Sequence, residues 1–142
     1  MTKGNILDSE AEALVNPVNC MGVMGKGLAL QFREAYPEMF QDYRRVCLEH
    51  HLEPGLLHFF KADKWIVNFP TKMFWSRPSE LRFIKLGLQT LTEQVVIRQI
   101  KSIAIPPLGC GLGGLKWTRV LPMIEAFMSP LDVETLIYAP EN

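Results

Sequence analysis

Seven glycines carry the chemistry most visible in this sequence. Gly22, Gly25 and Gly27 fall in the run Cys20–Gly27 (CMGVMGKG), and Gly109, Gly111, Gly113 and Gly114 in the run Leu108–Leu115 (LGCGLGGL). A glycine lets its backbone amide turn toward a ligand and approach it with no Cβ in the way. Where such a run leads into a helix, the unpaired N–H groups and dipole of the first turn favour phosphate. Two runs of this kind suit a diphosphate. The competing reading is two tight turns.

Better-known phosphate motifs do not account for them. GxxxxGK[ST] fails because Lys26 is followed by Gly27 and no glycine stands five residues before Gly25. Gly109, Gly111 and Gly114 match GxGxxG, with Asp132 beyond them near the spacing of a ribose-binding acid. Only one further strand is legible after that match, however, and a dinucleotide fold needs several.

Other reactive types are less telling. Lys26 can reach a phosphate or simply be solvated. Lys72 follows Pro70-Thr71 on an irregular segment after a strand, a fitting place for a site residue, although by residue type alone it reads as a surface lysine. His50, His51 and His58 have no carboxylate or cysteine at useful spacing and read as structural. Cys20, Cys47 and Cys110 are odd in number and lack CxxC spacing, which argues for reduced thiols rather than a disulfide framework or zinc site. No base adjoins Cys20 or Cys110, so a cysteine nucleophile is not expected. No metal or cofactor is called for.

The elements that must position these residues alternate. Ala13-Leu14-Val15 predicts a buried strand that ends in a turn at Asn16-Pro17-Val18-Asn19. A helix from Leu28 toward Tyr36 follows, and Pro37 opens a second. Two apolar runs, Leu56–Phe60 and Trp65–Phe69, flank a polar turn and predict a hairpin. Pro70 to Pro78 reads as irregular. Ser79 is placed as the cap of a helix with the stripe Leu81, Ile84, Leu88, Leu91 and Val95. Ile103-Ala104-Ile105, a helix from Trp117 to Met128 and a strand from Val133 to Tyr138 complete the pattern. Strands alternating with helices imply an α/β/α architecture with a largely parallel sheet and an antiparallel hairpin component.

The chain has 142 residues, the size of one domain, and 48% hydrophobic and 21% charged residues, as in a soluble globular protein. Fifteen basic and 15 acidic residues balance, so bulk charge gives no support for nucleic-acid binding. The stretch from Lys61 to Lys85 is locally basic, with Lys64, Lys72, Arg77 and Arg82 between its ends against Asp63 and Glu80; the plain reading is a solvated helix face and loop. No signal peptide or membrane span is legible, which makes the cytoplasm the expected address.

Taken together, Gly4-Asn5-Ile6, Ala13–Asn19, Gly22–Gly27 and Pro107–Leu115 follow the order of the macrodomain family. The chain most resembles its DarG branch, the antitoxins of DarT–DarG systems. Gly22–Phe32 (GVMGKGLALQF) and Asn68–Lys72 (NFPTK) are characteristic of that branch. The likeness spans nearly the whole chain, and its motifs are specific as a set.

The resemblance implies a three-layer macrodomain with a mixed, largely parallel sheet, extending over residues 1–142. It implies an enzyme that removes ADP-ribose from thymidine in single-stranded DNA, reversing a DarT-type toxin. Lys72 would supply catalysis and Asn19 would orient substrate. The first loop, with Asn16, Cys20, Gly22, Val23, Met24, Gly25, Lys26 and Gly27, would hold the distal ribose. The second, with Leu108, Gly109, Cys110, Gly111, Leu112, Gly113, Gly114 and Leu115, would wrap the diphosphate. Pro70 and Thr71 belong to the catalytic segment. Asn5 and Ile6 stand where many macrodomains have Asp-Ile, whose Asp contacts the adenine amine; the amide of Asn5 can still accept a hydrogen bond.

With DNA as substrate, Trp75, Arg77 and Arg82 become candidates for gripping bases and phosphates, with a core role for Trp75 as the competitor. DarG chains normally continue into a toxin-binding domain, of which nothing is legible here. A monomer is expected. The alternatives are a non-catalytic ADP-ribose reader and a hydrolase of ADP-ribose esters on protein carboxylates. The latter is weakened by Gly113, which stands where a related hydrolase carries Asp.

Overall fold

The structure, a computed structural model, describes residues 1–141. A short 3-10 helix (Ile6–Asp8) precedes β1 (Ala13–Val18), α1 (Gly27–Ala35) and α2 (Pro37–Leu48). The hairpin β2 (His58–Lys61) and β3 (Trp65–Pro70) follows, then α3 (Leu81–Ile97), β4 (Ser102–Ile105), α4 (Trp117–Met128) and β5 (Glu134–Ile137). The strands form one sheet in the order β2-β3-β1-β4-β5. Only the β2–β3 pair is antiparallel. This is the three-layer α/β/α arrangement with a mixed, largely parallel sheet that the alternation of elements predicts.

Strand alternation divides the core in two. Leu14, Ile66 and Ala104 stand in register on one face and pack with Phe32, Met39, Phe40 and Tyr43 of α1 and α2. Ala13, Val15, Val67, Phe69, Ile103 and Ile105 point to the other face, against Ile84, Leu88 and Leu91 of α3 and Val120 and Ile124 of α4.

Two details differ from the sequence reading, each with a local cause. β1 does not turn at Asn16-Pro17 but continues to Val18, paired with β3 as far as Pro70. The amides of Trp65 and Thr71 donate to Glu12 O and Val18 O, so even-numbered residues of β1 face β3 and Pro17 faces β4. The β4 ladder stops at Leu14–Ala104, short of Pro17. Pro70 likewise lies past His58–Asn68, the last pair on the β2 side. Each proline thus meets no ladder that needs its missing N–H. The second difference is at α3, whose N-cap is Glu80 with no side-chain cap bond. Ser79 is not the cap.

Candidate functional site

Because β3, β1 and β4 are parallel neighbours, their carboxyl ends emerge side by side, each leading through a loop into a helix. Residues 19–26 enter α1, 71–80 enter α3 and 106–116 enter α4. Such an edge is where an open α/β sheet takes ligands. The N-caps of the three helices, Lys26, Glu80 and Lys116, make no side-chain cap bond. First-turn N–H groups left free of caps are available to an anion.

The first loop is held from within. Asn19 Nδ2 donates to Val23 O at 2.8 Å, and Asn19 Oδ1 accepts from Met21 N–H at 2.9 Å. The Tyr43 hydroxyl, buried under the loop, donates to Asn19 O at 2.7 Å and lies 3.0 Å from Oδ1. The side chain of Asn19 is therefore buried and turned into its own loop, where it sets the path of Met21–Val23. The amide that the resemblance expects to orient substrate thus sits at the base of the first loop, with Val23 O, Met21 N–H and the Tyr43 hydroxyl as its partners. Met24 is fully buried and Asn16 is buried beneath it, with Asn16 Nδ2 3.8 Å from Met24 Sδ. Neither side chain reaches solvent, so their place in the site is beneath the loop. Gly25, Lys26 and Gly27 are exposed.

In the second loop, Leu115 N–H donates to Gly109 O at 2.8 Å and Gly114 N–H to Gly111 O at 3.2 Å, closing a compact turn. Leu108 is fully buried in the core, so only its backbone can face a ligand. Gly111 is exposed, and a Cβ built there would touch nothing within 4 Å. Leu112 is exposed at the tip yet reaches the first loop, its Cδ1 3.6 Å from where a Cβ on Gly27 would lie. The two glycine-rich runs thus meet across the edge.

The third segment touches both. Cys20 N–H donates to Met73 O at 2.9 Å, and Ser79 N–H donates to Gly113 O at 2.9 Å. Buried Thr71 follows directly on β3 and donates its N–H to Val18 O at 3.0 Å. Lys72 comes next, half-buried, and no carboxylate pairs with it among the described residues. Burial alone holds its ammonium pKa below the ordinary lysine value. Met73, Phe74 and Trp75 then project into solvent, Trp75 with 57% of its surface exposed. That removes the core reading of Trp75. Arg77 is exposed beside them, whereas Arg82 is bound to Glu80 (Nε to Oε1, 2.9 Å) and lies over the Phe83 ring.

The remaining candidates fall where their surroundings explain them. Asn5 caps the 3-10 helix, its Oδ1 accepting from Leu7 N–H at 3.0 Å. The oxygen expected to take an adenine amine thus accepts one bond from the backbone and keeps a second lone pair. Ile6 is a core residue, in one cluster with Met24. Burial pushes the Cys20 thiol up to about 12 and Cys110 up to about 11, the opposite of a nucleophile's tuning. His58 is buried between Asp42 (Nε2 to Oδ2, 2.7 Å) and Asn68 (Nδ1 to Nδ2, 2.9 Å). A hollow at the opposite end of the sheet has Glu10 and Glu134 in its wall, which would repel a diphosphate. Two contributors escape sequence reading, Tyr43 and Ser79. A tyrosine at helical spacing and a serine before a helix carry no signal of what they touch.

Known proteins share this arrangement. A DNA ADP-ribosyl glycohydrolase of Mycobacterium tuberculosis is 44% identical over 145 residues, covering 98% of this chain and 41% of the relative. The chain therefore spans about two fifths of the length of that curated relative. The solved macrodomain of Mycobacterium tuberculosis DarG superposes with a TM-score of 0.93 at 44% identity, covering 97% of this chain and 95% of the other. Thermosipho africanus DarTG, solved in complex with ADP-ribose, superposes with a TM-score of 0.92 at 34% identity, covering 96% of this chain and 40% of that one. The family model described as Macro domain matches residues 15–124, a span that runs from β1 through both glycine-rich loops into α4, and the chain belongs to that family.

Proposed function

We propose that this macrodomain binds ADP-ribose across its two glycine-rich loops and hydrolyses the bond that joins it to thymidine in single-stranded DNA. The observation that carries the reading is Lys72: half-buried, unpaired among the described residues, and set on a segment bonded to both loops. The similarity to DNA ADP-ribosyl glycohydrolases and DarG macrodomains supports it.

Hydrolysis breaks the bond from ribose C1″ to a thymine ring nitrogen and adds water, releasing ADP-ribose and intact thymidine. Thymine leaves as a delocalised imide anion, so a strong general acid is less needed than for an alcohol. The site must position C1″, stabilise charge and deliver a nucleophile. Free first-turn amides and the exposed backbone of Gly111 suit the diphosphate. Lys72, with its pKa lowered by burial, can act as free amine on C1″ or on water, or as ammonium beside the departing thymine. Met73, Phe74, Trp75 and Arg77 offer stacking surface and charge for neighbouring nucleotides. Esters on protein carboxylates are less well served, because position 113 has no space for a side chain: a Cβ there would fall on Ser79 and lie 2.6 Å from Gly109 O.

The proposed partners are ADP-ribose and ADP-ribosylated single-stranded DNA, with a DarT-type transferase as source of the modification and the protein acting as a monomer. The deciding experiment offers the protein an oligonucleotide ADP-ribosylated on thymidine and, separately, an ADP-ribosylated protein. Release of ADP-ribose from the DNA is expected. Binding without release from either would make it a reader, and release only from the protein would make it an ester hydrolase.

A further inference from the structure

Ser79 joins the Lys72 segment to the second glycine-rich loop through both its backbone and its side chain. It is buried, with 5% of its surface exposed, although Pro78 and Glu80 on either side are exposed. Its bonds run away from the helix it precedes. The N–H donates to Gly113 O at 2.9 Å, and the hydroxyl donates to Thr71 Oγ1 at 3.1 Å. Glu80 N–H donates to Thr71 O at 3.3 Å and closes the same ring of contacts. Thr71, itself buried, is the residue before Lys72.

The second loop is shaped around this serine. A Cβ on Gly113 would meet the Ser79 hydroxyl and lie 2.8 Å from Ser79 Cβ, and one on Gly109 would lie 3.1 Å from Ser79 Cβ. Both glycines leave the space that Ser79 fills. Thr71 in turn is tied to the end of β1 through Val18 O. Ser79 therefore links the ends of β1 and β3 to the loop after β4, its hydroxyl holding Thr71 and its backbone N–H holding Gly113.

We propose that Ser79 is a positioning residue for the reaction: it locks the Lys72 segment to the diphosphate-binding loop, so that the amine and the bound ADP-ribose keep a fixed relative placement. The inference rests on the proposed function of the site. Its physical basis is that the loop amides bind ADP-ribose without help from Lys72, while the reaction needs Lys72 placed against C1″. A misplacement of about 1 Å can cost a reaction up to roughly a hundredfold.

The test is single-turnover release of ADP-ribose from a thymidine-modified oligonucleotide, set beside calorimetric affinity for free ADP-ribose. The proteins compared are the parent, Ser79→Ala, Thr71→Val and the double variant. Ser79→Ala keeps the backbone bond to Gly113 and loses the hydroxyl; Thr71→Val removes the acceptor with little change of shape. Each single variant is expected to slow release about tenfold while changing ADP-ribose affinity less than about twofold, a split that general loosening of the loop does not produce. The double variant is expected to be no slower than the worse single one, because both remove the same bond. Rates within twofold of the parent, rate and affinity falling together, or additive losses would each overturn the proposal. If Ser79→Ala fails to fold, Thr71→Val alone decides between the same outcomes. A parent protein that releases nothing from the oligonucleotide sinks the proposed function instead, so the two failures are distinct.

Discussion

The carboxamides of Asn16 and Asn68 meet between the central strands, Asn16 Nδ2 donating to Asn68 Oδ1 at 3.0 Å from register partners on β1 and β3. Asn68 continues the chain to His58 and Asp42, so a line of polar groups crosses one face of the sheet from the surface to its centre. Asn16 Oδ1 ends it without a partner among the described residues. A buried amide that loses its acceptor pays the full desolvation cost, about 1–3 kcal/mol per group. Asn68→Ala strands both the Asn16 NH2 and the His58 ring nitrogen, and should lower unfolding free energy by about 3 kcal/mol in urea titration. A loss under about 1 kcal/mol would mean that the line is not a load on stability.

The second loop offers two glycines, separated by Leu112, with opposite expectations. Gly111 has open space around its Cβ position, so Gly111→Ala should change stability by less than about 0.5 kcal/mol. Gly111→Glu should abolish ADP-ribose binding, since the side chain would occupy the ligand's approach and not the protein's interior. Gly113→Ala should destabilise the fold, because its Cβ would fall on Ser79 and against Gly109 O. Calorimetry in EDTA, beside thermal melts, reads all three. Normal binding by Gly111→Glu would remove this loop from the diphosphate site.

Trp75→Ala should leave the melting temperature almost unchanged, because the ring is exposed, and should weaken binding of modified oligonucleotide more than of free ADP-ribose. Arg77→Ala should do the same and flatten the salt dependence of DNA binding. Arg82→Ala should have the smaller effect, since Glu80 already offsets its charge. Equal losses for DNA and free ADP-ribose would place the DNA contacts elsewhere.

Lys72→Ala should bind ADP-ribose nearly as the parent does and release it from thymidine far more slowly, the mark of an interaction made mainly in the transition state. Lys72→Arg keeps a cation that does not deprotonate and should be nearly as slow if the free amine is the active form. The pH dependence follows from burial. A lysine held below its ordinary value of 10.5 yields free amine at lower pH than an exposed one. A rate that depends on the amine should therefore rise with pH and level off below 10.5. By the same linkage the folded state holds fewer protons than the unfolded one between the two values, so this group makes stability rise with pH across that window. A rate restored by arginine and flat in pH would assign Lys72 the role of a fixed positive charge.

What the sequence determined by itself was local. The alternation of short apolar runs with helical stripes sets five strands and four longer helices, because side-chain period and turn chemistry act over a few residues. The glycine runs declare two strand-to-helix loops for the same reason, and NFPTK places Lys72 just past a strand end. Only the tertiary structure decided who meets whom. Pro17 and Pro70 stay in strands because the ladders beside them have already stopped. Asn19 faces inward because Tyr43, from α2, rises beneath it. Trp75 is exposed because its segment crosses from one loop to the other outside the core. Ser79 abandons the helix cap for Thr71 and Gly113. Each of these outcomes depends on space and hydrogen-bond partners supplied by residues far away in the chain, which spacing and residue type do not encode.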